Sequence, residues 1–238
     1  MTTFETTNGP IENRLLAALP KKEQEHLLLN MEQVSLPFAK MLYEPGDTIR
    51  HVYFPNNNTI LSLLSTVEDR STLEVGLVGN EGMAGISVFL DVSASRNRVI
   101  VQGAGTALRM KVALFRRESN HGGKLQSLLL RYTQALLTQV SQTAACNRFH
   151  TVDARLARWL LMTHDRVRSD EFRVTQEFLS NMLGVRREGV SKTAGALQRD
   201  ELISYSRGIL MILNRAGLER ISCQCYGIVK EEYDCFLS

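Results

Sequence analysis

The sequence predicts an α+β protein in which short strands form a roll or barrel, a long helix follows, and two short helices close with a β-hairpin. Three observations carry this. Between residues 44 and 110, short apolar runs alternate with turn clusters, the pattern of closely spaced strands. From 125 to 147, apolar residues recur at intervals of four and three, the spacing of a long helix with one apolar seam. From 174 to 202, two short amphipathic segments meet at a single glycine, Gly184.

The elements follow in order. Residues 11–31 read as helical material interrupted near Pro20. The strand runs include 52–55, 60–64, 72–78 and 99–101, with Asn56-Asn57-Asn58 and Glu68-Asp69-Arg70 as turns. Gly79-Asn80-Glu81-Gly82-Met83-Ala84-Gly85 has two readings. Its glycines could turn backbone N–H groups toward an anion, or simply supply the turn that a roll needs, and the turn is the favoured reading. In the long helix, Leu125, Leu129, Tyr132, Leu136, Gln139, Thr143 and Cys146 form the seam. Spacing alone allows a dimer contact or burial against the helix's own domain.

The segment 174–202 is the most informative. Thr175 can cap the first helix, with Gln176 and Glu177 inside it, since a hydroxyl there accepts from an otherwise unpaired N–H. Leu179, Met182 and Leu183 give that helix an apolar face, and Val190, Ala194 and Leu197 do so for the second. Gly184 stands where the chain must turn sharply, which favours a residue free to adopt positive φ. The opposite face of the second helix carries Arg187, Glu188, Ser191 and Lys192, side chains suited to base edges and phosphates. Two apolar runs around Ser206-Arg207-Gly208 then signal a hairpin, or wing. An ordinary helical hairpin also has an apolar inside and a charged outside. The cap, the glycine turn, the basic opening and the wing in sequence favour a DNA-binding helix-turn-helix.

Composition supports this reading. The formal charge of +3 is unevenly distributed: residues 148–220 hold 13 Lys/Arg against 9 Asp/Glu, and the rest of the chain 15 against 16. The positive excess therefore falls in the half proposed to meet phosphates. No apolar run approaches the roughly 18 residues needed to span a bilayer. The opening MTTFETTNGP lacks the basic and apolar regions of a signal peptide. These features lead us to expect a cytoplasmic protein with no membrane partner. No metalloprotease, nucleophile-elbow or P-loop motif occurs, and no catalytic residue or enzyme activity is expected. The histidines at 26, 51, 121, 150 and 164 are scattered, and Cys223-x-Cys225 is not the common C-x-x-C spacing. No metal site or cofactor is expected from Cys146, Cys223, Cys225 and Cys235, and the part played by the last three is left open.

The motifs resemble those of the CRP/FNR family of bacterial transcription regulators. The resemblance rests on Thr175-Gln176-Glu177, Leu179, Leu183-Gly184-Val185, Arg187-Glu188 and Val190-Ser191, with Tyr43-Glu44-Pro45-Gly46-Asp47-Thr48-Ile49 and His51-Val52-Tyr53-Phe54 ahead of them. It covers roughly residues 13–222. It implies a cyclic-nucleotide-binding-like sensory β-roll with N-terminal helices over 13–123 and a central dimerisation helix over 124–147. It further implies a winged helix-turn-helix over 148–222, leaving a tail of 223–238. It also implies a homodimer on near-palindromic double-stranded DNA, meeting RNA polymerase if it is an activator. DNA contacts would come from Thr175, Gln176, Arg186, Arg187, Glu188, Ser191 and Lys192, and the dimer seam from Leu125, Leu129, Tyr132, Leu136, Gln139 and Thr143. Two departures stand out: Arg186 replaces a capping Ser, and Gly189 replaces a common Thr.

The family's nucleotide pocket would fall on Glu81, Gly82, Met83, Arg96 and Ser141. Here the arginine position aligns with Ser95, beside Arg96, and the helix hydroxyl pair becomes Val140-Ser141. A one-residue displacement turns a strand side chain to the other face. Cyclic AMP is therefore not expected to bind in the family's mode. The alternative is a receptor for a cyclic nucleotide or another small ligand, with a shifted but working pocket. A constitutive DNA-binding protein with the roll as scaffold is a third reading.

Overall fold

The computed structural model describes residues 10–67, 72–120, 122–167 and 169–237. The opening segment, the turn read at Glu68-Asp69-Arg70, and His121 lie outside the described residues. The chain begins with α1 (Arg14–Ala17) and α2 (Lys21–Leu28), divided at Pro20, which stands at the N-terminal boundary of α2, a position where a missing N–H is harmless. Buried Asn13 caps α1 through its side-chain oxygen and donates to the carbonyls of Pro55 and Gly82. The first helix is thereby tied to the strands.

Among the described residues, seven strands build the N-terminal half: β1 (Met31–Leu36), β2 (Met41–Tyr43), β3 (His51–Pro55), β4 (Ile60–Thr66), β5 (Thr72–Val78), β6 (Arg98–Gly103) and β7 (Gly105–Lys111). They form two antiparallel sheets, ordered β1-β7-β3 and β2-β6-β4-β5. Met31, read from sequence as the end of helical material, begins β1 and pairs with Met110. Both sheets contribute to one apolar core, through residues such as Phe54, Ile60, Leu61, Leu77 and Met110. β3 and β4 are buried along most of their length, so they read as continuous apolar runs rather than alternating ones.

Helix α3 (Val112–Ser119) leads into α4 (Gly123–Phe149), a helix of 27 residues, about 40 Å long at 1.5 Å per residue. Then come α5 (Val152–Val167), β8 (Glu171–Arg173), α6 (Gln176–Leu183), α7 (Arg187–Arg199), β9 (Ile203–Ser206), β10 (Ile209–Ile212), α8 (Arg215–Ile221) and α9 (Cys225–Phe236). The expected hairpin is β9–β10, turning at Arg207 and Gly208, both with positive φ. β8 joins it as a third strand, in the order β8-β10-β9. The segment 223–238, read as a tail, contains an ordered helix. Tyr226, Val229, Tyr233 and Phe236 of α9 are buried, and its carbonyl at Cys235 accepts from Arg131 of α4.

The structure corrects the seam read from spacing. Leu125, Leu129, Tyr132, Gln139 and Thr143 are all buried within their own chain, and Leu136 is half-buried over Gly76 of β5. Tyr132 donates to the carbonyl of Met83 and packs on Phe236. Gln139 donates to the carbonyl of Leu77 and to the Tyr233 hydroxyl, and accepts from the N–H of Leu77. The roll and α9 claim this face, because a polar amide buried there needs those partners.

Among the described residues, no helix is long and apolar enough to cross a membrane.

Candidate nucleic-acid interface

The helix pair α6–α7 is built from local rules. Thr175 adopts an extended backbone and its hydroxyl accepts from the N–H of Phe178. Gly184 ends α6 in the left-handed region at φ 60°, and Leu73 of β5 approaches to 2.8 Å of where a β-carbon would stand. Any other residue would be strained and crowded there. Leu179, Met182 and Leu183 face inward from α6, as do Val190, Ala194 and Leu197 from α7. Ser191 donates to the side-chain oxygen of Gln176 at 2.8 Å, so a polar bond links the two helices on their outer side.

Arg186, Arg187, Glu188, Ser191 and Lys192 are exposed at the N-terminal half of α7; Thr175 is exposed and Gln176 half-exposed at the start of α6. The Ser191–Gln176 bond brings the start of α6 against the first half of α7. Arg186 stands at the cap of α7 without a side-chain capping bond, as its replacement of the usual serine leads one to expect. The N-terminus of a helix carries partial positive charge, and two arginines add to it here. Nearby, the Tyr205 hydroxyl donates to the carbonyl of Val174, fixing the wing against the entry to α6. Burial raises its pKa, while the charge of Arg187 pulls it down.

The helix pair is set on the rest of the molecule by α5 and α6. Phe178 packs against Phe38 with ring centroids 5.9 Å apart. Arg155 of α5 donates to the carbonyl of Leu183, satisfying the C-terminal end of α6. Arg158 reaches Thr143 of α4 at 2.8 Å, and Trp159 donates to Glu74 of β5 at 2.9 Å. Arg166 forms a buried ion pair with Glu81 at 2.8 Å and lies over the Tyr233 ring. Burial pushes the Glu74 carboxyl up to about 8, against the opposing hydrogen bonds of Ser62 and Trp159 and the charges of Arg158 and Arg166. Sequence reading missed this junction: α5 presents arginines at 155, 158 and 166 on a buried face, and basic residues ordinarily read as solvated.

Of the five residues read as a candidate effector pocket, Glu81, Gly82 and Met83 are buried in one loop, while Arg96 and Ser141 are exposed. The carboxylate of Glu81 is committed to Arg166 and to the N–H of Gly79. The Tyr132 ring comes within 2.3 Å of where a β-carbon on Gly82 would stand, so the ring lies directly on that loop. Met83 is buried, Arg96 is exposed, and Ser141 points outward from α4. Phe236 meets the Tyr132 ring at a tilt and the Tyr233 ring edge-on.

Cys146, His150, Cys223 and Cys225, scattered in sequence, converge so that their ligand atoms lie within 4.8 Å of one another. The usable signal was Cys146-x-x-x-His150, one helical turn apart; the C-x-C pair then lacked only its partner.

Residues 154–221 match the family model of the Crp-like helix-turn-helix domain. No curated protein sequence matches the chain. Solved structures share its fold. A transcriptional regulator of the crp/fnr family from Eubacterium rectale is 14% identical with a TM-score of 0.67, covering 87% of this chain and 96% of its own. FixK2 from Bradyrhizobium japonicum is 13% identical with a TM-score of 0.69, covering 81% and 98%. The c-di-GMP-responsive global regulator CLP from Xanthomonas campestris is 16% identical with a TM-score of 0.65, covering 81% and 99%.

Proposed function

We propose that this chain, which matches the Crp-like helix-turn-helix domain at residues 154–221 and has the fold of CRP/FNR structures, is a CRP/FNR-type DNA-binding transcription regulator that works as a homodimer on a near-palindromic site. The observation that carries the reading is the exposed cluster Arg186, Arg187, Glu188, Ser191 and Lys192 at the front of α7, buttressed behind by the wing and by α5. Arg187 contacts a guanine through O6 and N7, and Glu188 accepts from a cytosine amine. Thr175, Gln176 and Arg186 engage phosphate and set the register.

Dimerisation uses the outer face of α4. Ser127, Leu130, Gln134, Leu137, Ser141 and Ala144 are its exposed residues at alternating intervals of three and four. Leu130 and Leu137 are 56% and 58% exposed, which is costly for leucines unless a partner covers them. Small Ser141 and Ala144 let two such helices approach closely. Paired recognition helices about 34 Å apart then read successive major-groove faces. The protein works in the cytoplasm, and it meets RNA polymerase if it activates. Its domains divide as 13–123, 124–147 and 148–222, with α9 returning to brace the central helix.

The site does not hold cyclic AMP in the family's mode, because Glu81 is paired to Arg166, Tyr132 covers Gly82 and Arg96 stands in solvent. Selection of binding sequences from random duplex DNA, followed by footprinting, tests the proposal. The expected result is an inverted repeat protected over two half-sites. Retention of DNA without sequence preference would refute it.

A further inference from the structure

We infer that Cys146, His150, Cys223 and Cys225 form a closed metal site for one zinc-class divalent ion. Cys146 and His150 come from the last turn of α4 and its boundary, where the N–H of His150 donates to the Cys146 carbonyl. Cys223 and Cys225 come from the bend between α8 and α9. The Sγ atoms of Cys146 and Cys223 are 3.4 Å apart, and Sγ of Cys225 is 3.7 Å from Nδ1 of His150. Bond lengths of about 2.3 Å to sulfur and about 2.0 Å to nitrogen give a tetrahedron with sulfur–sulfur edges of about 3.8 Å and sulfur–nitrogen edges of about 3.5 Å. The cluster is already near that size.

Three features select the ligand class. Three thiols and one imidazole are soft and borderline donors, which favour zinc over the hard magnesium and calcium ions. Four protein ligands fill a tetrahedron and leave no open position, the arrangement of structural sites. The mutual span of 4.8 Å suits one ion, since a two-iron cluster would separate its ligands into two more distant pairs. A Cys146–Cys223 disulfide would use only two of the four groups and leave the convergence of Cys225 and His150 without a cause. The three thiols are buried apart from the main hydrophobic core, with Ala154 of α5 beside them. An ion there joins the C-terminal end of the central helix to the exit of the helix-turn-helix segment, across 77 residues of chain. Metal occupancy would therefore hold the DNA-binding half on α4, and the inference stands whether or not the chain binds DNA.

The test uses the full-length chain purified under reducing, oxygen-free conditions. Elemental analysis after zinc loading and dialysis should find one zinc per chain. Replacement by Co2+ should give the strong visible bands and thiolate-to-metal charge transfer of a tetrahedral sulfur-rich site. Cys223→Ser should lose stoichiometric metal, and Cys235→Ser, outside the cluster, should retain it. The zinc-loaded wild type should also melt at a higher temperature than the chelator-treated protein, a readout independent of any variant's folding. Wild-type protein with only trace zinc, an octahedral cobalt spectrum, iron–sulfur absorption, a Cys146–Cys223 disulfide as the sole product, or unchanged metal in Cys223→Ser would each overturn the assignment.

Discussion

The two faces of α4 carry the same spacing and opposite fates. Leu125, Leu129, Tyr132, Leu136, Gln139 and Thr143 repeat at intervals of four and three and face into their own chain, all buried but the half-buried Leu136. Ser127, Leu130, Gln134, Leu137 and Ser141 repeat in the same way and face out. A heptad therefore identifies a straight apolar or polar seam, not what covers it. The inner face is the more apolar because it closes the roll; the outer face carries two exposed leucines among small and polar neighbours, the surface the proposed dimer would use. The same inward and outward contrast divides the basic residues. Arg155, Arg158 and Arg166 of α5 are buried against paired acceptors, whereas Arg186, Arg187 and Lys192 stand in solvent.

Substituting one leucine on each face breaks or upholds the first contrast, with the largest expected effect. Leu129 is fully buried, so Leu129→Ala should lower unfolding free energy by about 2–5 kcal/mol through lost burial and a cavity. Leu137→Glu should leave the monomer's fold intact and abolish dimerisation, because association would strip water from the new charge. Denaturant melts and sedimentation separate the two. A dimeric Leu137→Glu protein would mean that the outer face is not the seam.

The second contrast is sharpened by titration at the junction. The Glu74 carboxyl is raised by burial to about 8 from an ordinary 4.5, so the folded state holds this proton more tightly than the unfolded chain. The stability it contributes is full below 4.5, falls as pH rises toward about 8, and levels off above that. Glu74→Gln, which keeps an acceptor for Trp159 and cannot ionise, should flatten that slope in thermal melts across the same window. An unchanged slope would place the pH sensitivity elsewhere.

Much of the fold was legible because local chemistry states it openly. The cap at Thr175, the turn at Gly184 and the wing at Arg207-Gly208 each need a particular residue type and no tertiary partner. β1, β2 and β8 were not legible, being short or polar edge segments whose status depends on pairing with β7, β6 and β10. The inner face of α4 was misassigned because nothing local shows that Gln139 bonds to Leu77 and Tyr233. The cysteine cluster was missed for the related reason that its halves lie 77 residues apart. Contacts across long stretches of chain are decided by packing, which periodicity does not encode.

On the outward side, Arg187→Ala should weaken binding to the selected site by about 1–3 kcal/mol and relax preference at one base pair in each half-site. Stability should stay within about 0.5 kcal/mol, as for exposed substitutions generally. Fluorescence anisotropy against every single-base variant of the site measures both. Equal loss on all sequences would make Arg187 a phosphate contact instead.

The smallest effect is the most diagnostic of what α7 gives up. Arg186 occupies its cap without forming a capping bond, where serine would satisfy one of the first-turn N–H groups. Arg186→Ser should therefore raise the unfolding free energy by about 1 kcal/mol, while removing one phosphate contact. The expected signature is opposite signs: a higher melting temperature, weaker binding to all sequences alike, and a salt dependence reduced by about one counterion. A gain in stability with unchanged DNA affinity would show that Arg186 faces solvent in the complex. A loss of stability would show that its side chain braces the helix in a way the cap rule does not describe.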